Sequence, residues 1–165
     1  DRCYVHDCTF LLDTADSTST MGVTFPLGTG TTVNNDDSLI RNCYFISVSN
    51  TGPHIRAAGT VLDMKIEHCT FELRGSTALD DSIEITLVGS EGTQISDCDW
   101  VTRSSGTVIT DCIEVTGVTV DGTTHVYRCY APAGSDLIEA TATADAYAAE
   151  CYLATTTGGA LTGSA

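Results

Sequence analysis

Three glutamates sit at the centre of three similar pentapeptides, Ser82-Ile83-Glu84-Ile85-Thr86, Cys112-Ile113-Glu114-Val115-Thr116 and Leu137-Ile138-Glu139-Ala140-Thr141. Two earlier segments, Gly22-Val23-Thr24-Phe25 and His54-Ile55-Arg56-Ala57, share the alternation and complete a column Thr24, Arg56, Glu84, Glu114, Glu139. Apolar residues flank a polar one in each, as in a half-buried strand whose central side chain faces outward. If the strands lie side by side, their carboxylates stand about 5 Å apart and repel by roughly 1 kcal/mol in water, more when desolvated. Splayed, solvated side chains, a cation or a basic partner would each offset that repulsion. Two carboxyls about 5 to 9.5 Å apart can also flank a glycosidic bond. Glu84 with Glu114, or Asp97 with Asp99, would meet that requirement, and Arg56 would lie one strand from Glu84.

Other side chains with chemistry are less convergent. Tyr44, Tyr130 and Tyr152 share the outward position just after a cysteine, which suits a subunit contact, a ladder of stacked side chains or a carbohydrate platform. Asn34-Asn35-Asp36-Asp37 is rich in oxygens, but Asn34, Asp36 and Asp37 lack the spacing of a recognised calcium loop, so a solvated turn is expected. The histidines His6, His54, His68 and His125 keep no constant spacing to the cysteines and there is no CxxC pair, which argues against zinc. No cofactor is implied.

The elements that must position these residues follow from a repeat. Ile66-Glu67-His68-Cys69-Thr70-Phe71 places an aliphatic residue three before a cysteine and a large apolar residue two after it. The pattern returns as Val5…Cys8…Phe10, Ile40…Cys43…Phe45, Ile95…Cys98…Trp100, Val126…Cys129…Ala131 and Ala148…Cys151…Leu153. Successive cysteines are 35, 26, 29, 31 and 22 residues apart, the period of a solenoid. The aliphatic residue and the cysteine cannot both face inward on a straight strand, because their offset is odd. The chain must therefore bend at the residue before each cysteine, namely Asp7, Asn42, His68, Asp97, Arg128 and Glu150. Six of the eight cysteines fill one inward column as compact hydrophobes, and free thiols are expected rather than a disulfide scaffold. Cys3 opens another inward column, continued by Ser38, Met64, Thr93, Thr124 and Ala146.

Helical periodicity is lacking, β-branched residues dominate, and units of 22 to 35 residues are too short for propeller blades. An all-β, right-handed, single-stranded parallel β-helix of about six coils is expected over residues 1–154, with 155–165 as a tail or linker. The run Ile40-Arg41-Asn42-Cys43-Tyr44-Phe45 resembles the signature coil of right-handed parallel β-helix proteins of the pectin-lyase-like superfamily, and the resemblance extends over essentially the whole chain. That superfamily includes polysaccharide lyases, glycosidases, phage tailspikes and noncatalytic virion proteins, so the likeness implies a fold more than an activity. Short, acidic, Thr- and Gly-rich coils with a single lysine, Lys65, are most similar to β-helix modules of tailed-phage structural proteins. What this implies is a noncatalytic decoration, fibre or spike module at the virion surface, trimeric or docked on capsid or tail, with Glu84, Glu114, Glu139, Tyr44, Tyr130 and Tyr152 as contact residues. The alternative implied by the same fold is a polysaccharide lyase, hydrolase or tailspike using Arg56, Glu84 and Glu114, with carbohydrate as partner. A secreted cell-surface adhesin is a third expectation.

Composition narrows the partners. The 165 residues carry 22 acidic and 7 basic side chains, a formal charge of -15, which repels phosphate backbones and anionic membranes. No apolar run approaches the roughly 18 residues of a membrane span. The chain opens on Asp1 and shows no signal peptide or helical cap, so a fragment or an oligomer is expected. The large apolar column thins from Phe10, Phe45, Phe71 and Trp100 to Ala131 and Leu153, so the last coils are expected to narrow or to be filled by a partner.

Overall fold

The computed structural model describes residues 2–13, 22–25, 37–48, 52–59, 63–88, 92–104, 107–119, 123–142, 145–154 and 161–163. The first coil holds β1 (Tyr4–His6), β2 (Thr9–Leu12) and β3 (Val23–Phe25), and the second β4 (Leu39–Arg41), β5 (Tyr44–Ser47) and β6 (Ile55–Gly59). The third holds β7 (Lys65–Glu67), β8 (Thr70–Leu73) and β9 (Leu79–Val88), and the fourth β10 (Thr93–Ser96), β11 (Asp99–Thr102) and β12 (Ile109–Thr119). The fifth holds β13 (Thr123–Tyr127), β14 (Tyr130–Ala131) and β15 (Ile138–Ala142), and the sixth β16 (Asp145–Ala149), β17 (Tyr152–Leu153) and β18 (Leu161–Gly163). Like strands of successive coils pair in parallel, giving three six-stranded sheets ordered β1-β4-β7-β10-β13-β16, β2-β5-β8-β11-β14-β17 and β3-β6-β9-β12-β15-β18. The chain is a parallel β-helix, and no helix occurs among the described residues. β18 pairs with β15, so part of the segment expected as a tail contributes a strand to the third sheet.

Register follows the sequence columns. Val5, Ile40, Ile66, Ile95, Val126 and Ala148 align across the first sheet. Phe10, Phe45 and Phe71 align with Trp100 across the second. Their rings stack inside the coil, with centroids 4.7, 5.1 and 5.1 Å apart. The bend expected before each cysteine is a single residue in the left-handed region: φ is 55° at Asp7, 53° at Asn42, 52° at His68, 55° at Asp97, 48° at Arg128 and 57° at Glu150. That one residue rotates the chain from the first sheet into the second, so the aliphatic residue and the cysteine both point inward.

All eight cysteines are free thiols, and Cys43, Cys69, Cys98, Cys112 and Cys129 are buried. Each corner cysteine donates its Sγ–H to the carbonyl two residues back, across the bend: Cys43 to Arg41 at 3.2 Å, Cys69 to Glu67 at 3.3 Å, Cys98 to Ser96 at 3.3 Å and Cys129 to Tyr127 at 3.2 Å. The same carbonyls also accept the corner amide of the preceding coil, as Arg41 O does from Asp7 and Glu67 O from Asn42, each at 3.1 Å. Cysteine thus suits the column as a small apolar side chain whose weak donor adds a second bond to a ladder carbonyl.

A second corner leads into the third sheet. Consecutive residues are both buried at His54 and Ile55, Ser82 and Ile83, Cys112 and Ile113, and Leu137 and Ile138, which a straight strand would not allow. His54 fills the core beside the Phe45 and Phe71 rings, and its Nδ1 lies 2.9 Å from Ser82 Oγ. Burial holds the imidazole pKa down at about 3, so it packs as a neutral group.

Candidate functional site: an acidic double row on the third sheet

The central polar residues of the third sheet form one continuous column. Thr24 pairs with Arg56, Arg56 with Glu84, Glu84 with Glu114, and Glu114 with Glu139. Arg56 and Glu84 form an ion pair, with Nε 2.7 Å from Oε2. Glu114 accepts a hydrogen bond from Thr116 Oγ1 at 3.3 Å. Its pKa is raised, first by burial and then by the negative charge of Glu84.

A second acidic row, not anticipated from the sequence, runs beside the first. β9 and β12 begin well before the pentapeptides, and their register places Asp81 opposite Asp111, which bridges in turn to Asp136. Each aspartate lies three residues before a column glutamate, an odd spacing that puts two side chains on opposite faces of a straight strand. The second corner, between them, returns both to the outer face. Asp111 is 6 % exposed. The carboxyl pKa of Asp81 is pushed up to about 7, by burial first and then by Glu114, Asp80, Asp111 and Glu84. That of Asp111 is also pushed up to about 7, by burial and then by Glu139, Asp136, Asp80 and Glu114. At neutral pH these two carboxyls are therefore partly protonated and act as donors as well as acceptors. Asp81, with a raised pKa, thus shares one face with the Arg56–Glu84 ion pair.

The remaining candidates disperse. Asp97 sits at a corner and its carboxylate takes two hydrogen bonds from Arg128, at 2.7 and 2.8 Å, which lower its pKa. Its carboxylate is therefore committed to a clamp between coils, while Asp99 is exposed on β11. The tyrosine column is interrupted: Tyr44 aligns with Thr70, and Thr70 with Asp99, before Tyr130 and Tyr152 follow. Tyr130 and Tyr152 stack at 5.4 Å, while Tyr44 stands three coils from Tyr130. Asn34 and Asp36 lie outside the described residues, and Asp37 pairs with Arg2 at 2.8 Å. Among the described residues no group of three or more His, Cys, Asp or Glu side chains is arranged to hold a metal ion.

Two further features escaped the sequence reading. Glu72, on the outer face of β8, is 2 % exposed and takes hydrogen bonds from both Arg74 and Arg103. The signal available was the identical placement of those two arginines, each just after a strand of the second sheet. A shallow groove of about 390 Å³ crosses the outer face of the first sheet, lined by Arg2, Tyr4, Arg41 and Lys65 with Asp37, Asp63 and Glu67. No protein-family model, curated protein or solved structure matches the chain.

Proposed function

We propose that the chain is a rigid, noncatalytic β-helix module of a virus particle, such as a decoration, fibre or spike component, trimeric or docked on capsid or tail. The observation that carries a structural role is the core itself: aliphatic, thiol and aromatic columns stay in register from coil to coil, with Ile40, Ile66, Ile95, Phe45, Phe71 and Trp100 all fully buried. Such a stack resists bending because every coil is bonded only to its neighbours and each rung repeats the same contacts. Support for the virion setting is the likeness of the short acidic coils to those of tailed-phage structural proteins in the pectin-lyase-like superfamily. The acidic double row supplies a face for a basic neighbour. The test is the mass and composition of the native assembly. Stoichiometric copurification with a capsid or tail protein supports the reading, and a free monomer in every native preparation overturns it.

A second reading, a polysaccharide-cleaving enzyme of the same fold, is favoured by one observation. Two carboxyls with pKa values pushed up to about 7 share a face with the Arg56–Glu84 pair, and a carboxylic acid of raised pKa near a second carboxyl is what glycosidic chemistry uses. Cleavage of an acidic polysaccharide that disappears on Asp81→Asn and on Glu84→Gln would establish it in place of the structural reading.

A further inference from the structure

The arginines that meet at Glu72 are positioned by the solenoid rather than by chance contact. Arg74 and Arg103 occupy equivalent places on successive coils, with the Arg74 amide bonded to the Ser47 carbonyl and the Arg103 amide to the Leu73 carbonyl, each at 2.9 Å. Ser104 Oγ donates to the Arg74 carbonyl at 2.6 Å and ties the two turns together. Arg74 grips Glu72 with Nε at 2.7 Å to Oε1 and Nη2 at 3.1 Å to Oε2, and Arg103 Nε reaches the same Oε1 at 3.2 Å. One buried carboxylate therefore faces two guanidiniums, which leaves a local charge of plus one. A guanidinium has five N–H donors, and only three of the ten in this pair go to Glu72. The side chains are 48 % and 65 % exposed, so the unused edges meet solvent.

We propose that Arg74 and Arg103, held side by side by Glu72, form a binding site for an oxyanion that offers two acceptor oxygens, a carboxylate or a sulfate. The fork of a guanidinium matches such a pair of oxygens, and charge-assisted bonds of this kind are about twice as strong as neutral ones. Glu72 has already fixed the arginine rotamers, so binding need not order two long side chains. The like charges of the two guanidiniums, about one strand spacing apart, are only half compensated by Glu72, and an anion on the outer side completes the compensation. The overall negative charge of the chain does not prevent this, because at physiological ionic strength fields are screened beyond about 8 Å and the local pair dominates.

The test follows the Nε–Hε resonances of Arg74 and Arg103 by NMR as sodium sulfate, or in a second series sodium acetate, replaces sodium chloride at fixed ionic strength. Saturable shifts of both resonances are expected with at least one anion, and which anion binds tells a tetrahedral from a planar ligand. Arg103→Gln retains the Arg74–Glu72 bidentate pair and should bind about tenfold more weakly, the loss of one charge-assisted contact. Arg103→Lys, which keeps the charge without the fork, should fall between and serves if the glutamine variant does not fold. Shifts that stay linear with both anions, or affinity unchanged in both variants, overturn the proposal.

Discussion

At the scale of single residues, the fold turns on six positions that hold L-residues at positive φ. The left-handed conformation costs roughly 1 to 2 kcal/mol for a residue with a Cβ, and the solenoid offsets it by using the corner amide. Asp7, Asn42, His68, Asp97 and Arg128 each donate their backbone N–H to a carbonyl of the next coil at 3.0 to 3.2 Å. Some corners add a side-chain rung, as where Asn42 Nδ2 donates to Asp7 Oδ1 at 3.2 Å. His68 makes no such side-chain hydrogen bond among the described residues and acts on Asp97 only through its charge, so at a pH where the imidazole is neutral its replacement reports chiefly the backbone. His68→Gly should stabilise the protein by about 0.5 to 1 kcal/mol after the entropy of glycine in the unfolded chain is deducted, and His68→Val should destabilise it by about 1 to 2 kcal/mol. Urea midpoints of the two variants, moving in opposite directions, check this. The cysteine column gives a second prediction at this scale. Cys3 and Cys8 are exposed, so they should react at once with a thiol reagent, whereas Cys43, Cys69, Cys98, Cys112 and Cys129 should react only at the rate of unfolding. Early modification of four or more thiols in the native protein would mean that the coils open, because only three of the eight lie outside the buried set.

At the scale of the element, the acidic double row makes the third sheet sensitive to pH. Asp81 and Asp111 have folded pKa values of about 7 against 3.8 when unperturbed. Between those values the folded chain keeps protons that the unfolded chain has released, so stability is greatest near pH 4 and falls as pH rises toward 7. Asp97 and Glu72, whose pKa values are lowered by hydrogen bonds from Arg128 and Arg74, act in the opposite sense, and their contribution is lost as pH falls through the acid range below about 4. Thermal midpoints measured from pH 4 to 8 should decline across the middle of that range, and Asp111→Asn should flatten the decline. A rise over the same interval would contradict the arrangement. The glutamate half of this face was legible in the sequence because the pentapeptides alternate cleanly. The aspartate half was not, since Asp81 and Glu84 share a face only because the strand bends between Ser82 and Ile83, and nothing in alternation signals that bend. The corner before each cysteine was legible for the converse reason: two residues three apart had to face inward, and only a bend satisfies both. Glu72 was invisible because a carboxylate between Phe71 and Leu73 reads as an ordinary outward residue until the arginines of two coils are seen to meet on it.

At the scale of the whole molecule, aromatic side chains change sides along the solenoid. Rings fill the interior of the first four coils, ending at Trp100, while in the last two they lie outside, where His125 stacks on Tyr147 at 5.7 Å and Tyr130 on Tyr152 at 5.4 Å. Inside those coils the aromatic column passes to Ala131 and Leu153, and several other inward positions are small: Ala140 is buried, and Ala146, Ala148 and Cys151 are half-buried. Fewer apolar atoms leave water there, at about 25 cal/mol for each Å², and the outer ring stacks replace only part of that term because Tyr147 and Tyr152 are 60 % and 64 % exposed. In a solenoid the free energy is close to a sum over coils and the contacts between neighbours, so a weak coil opens without its distant partners. Hydrogen exchange should therefore be graded along the chain, with amides of β7, β8, β10 and β11 opening only with the whole molecule and those of β16 and β17 opening at much lower free energy. Tyr152→Ala should speed exchange in β16 and β17 and leave the central coils unchanged. Trp100→Ala, which empties the end of the interior stack, should lower global stability by about 3 to 5 kcal/mol and raise exchange in coils three to five together. Uniform exchange along all six coils, or a Tyr152→Ala effect spread evenly over them, would show that the outer rings carry no local share of stability and that the solenoid unfolds as one unit.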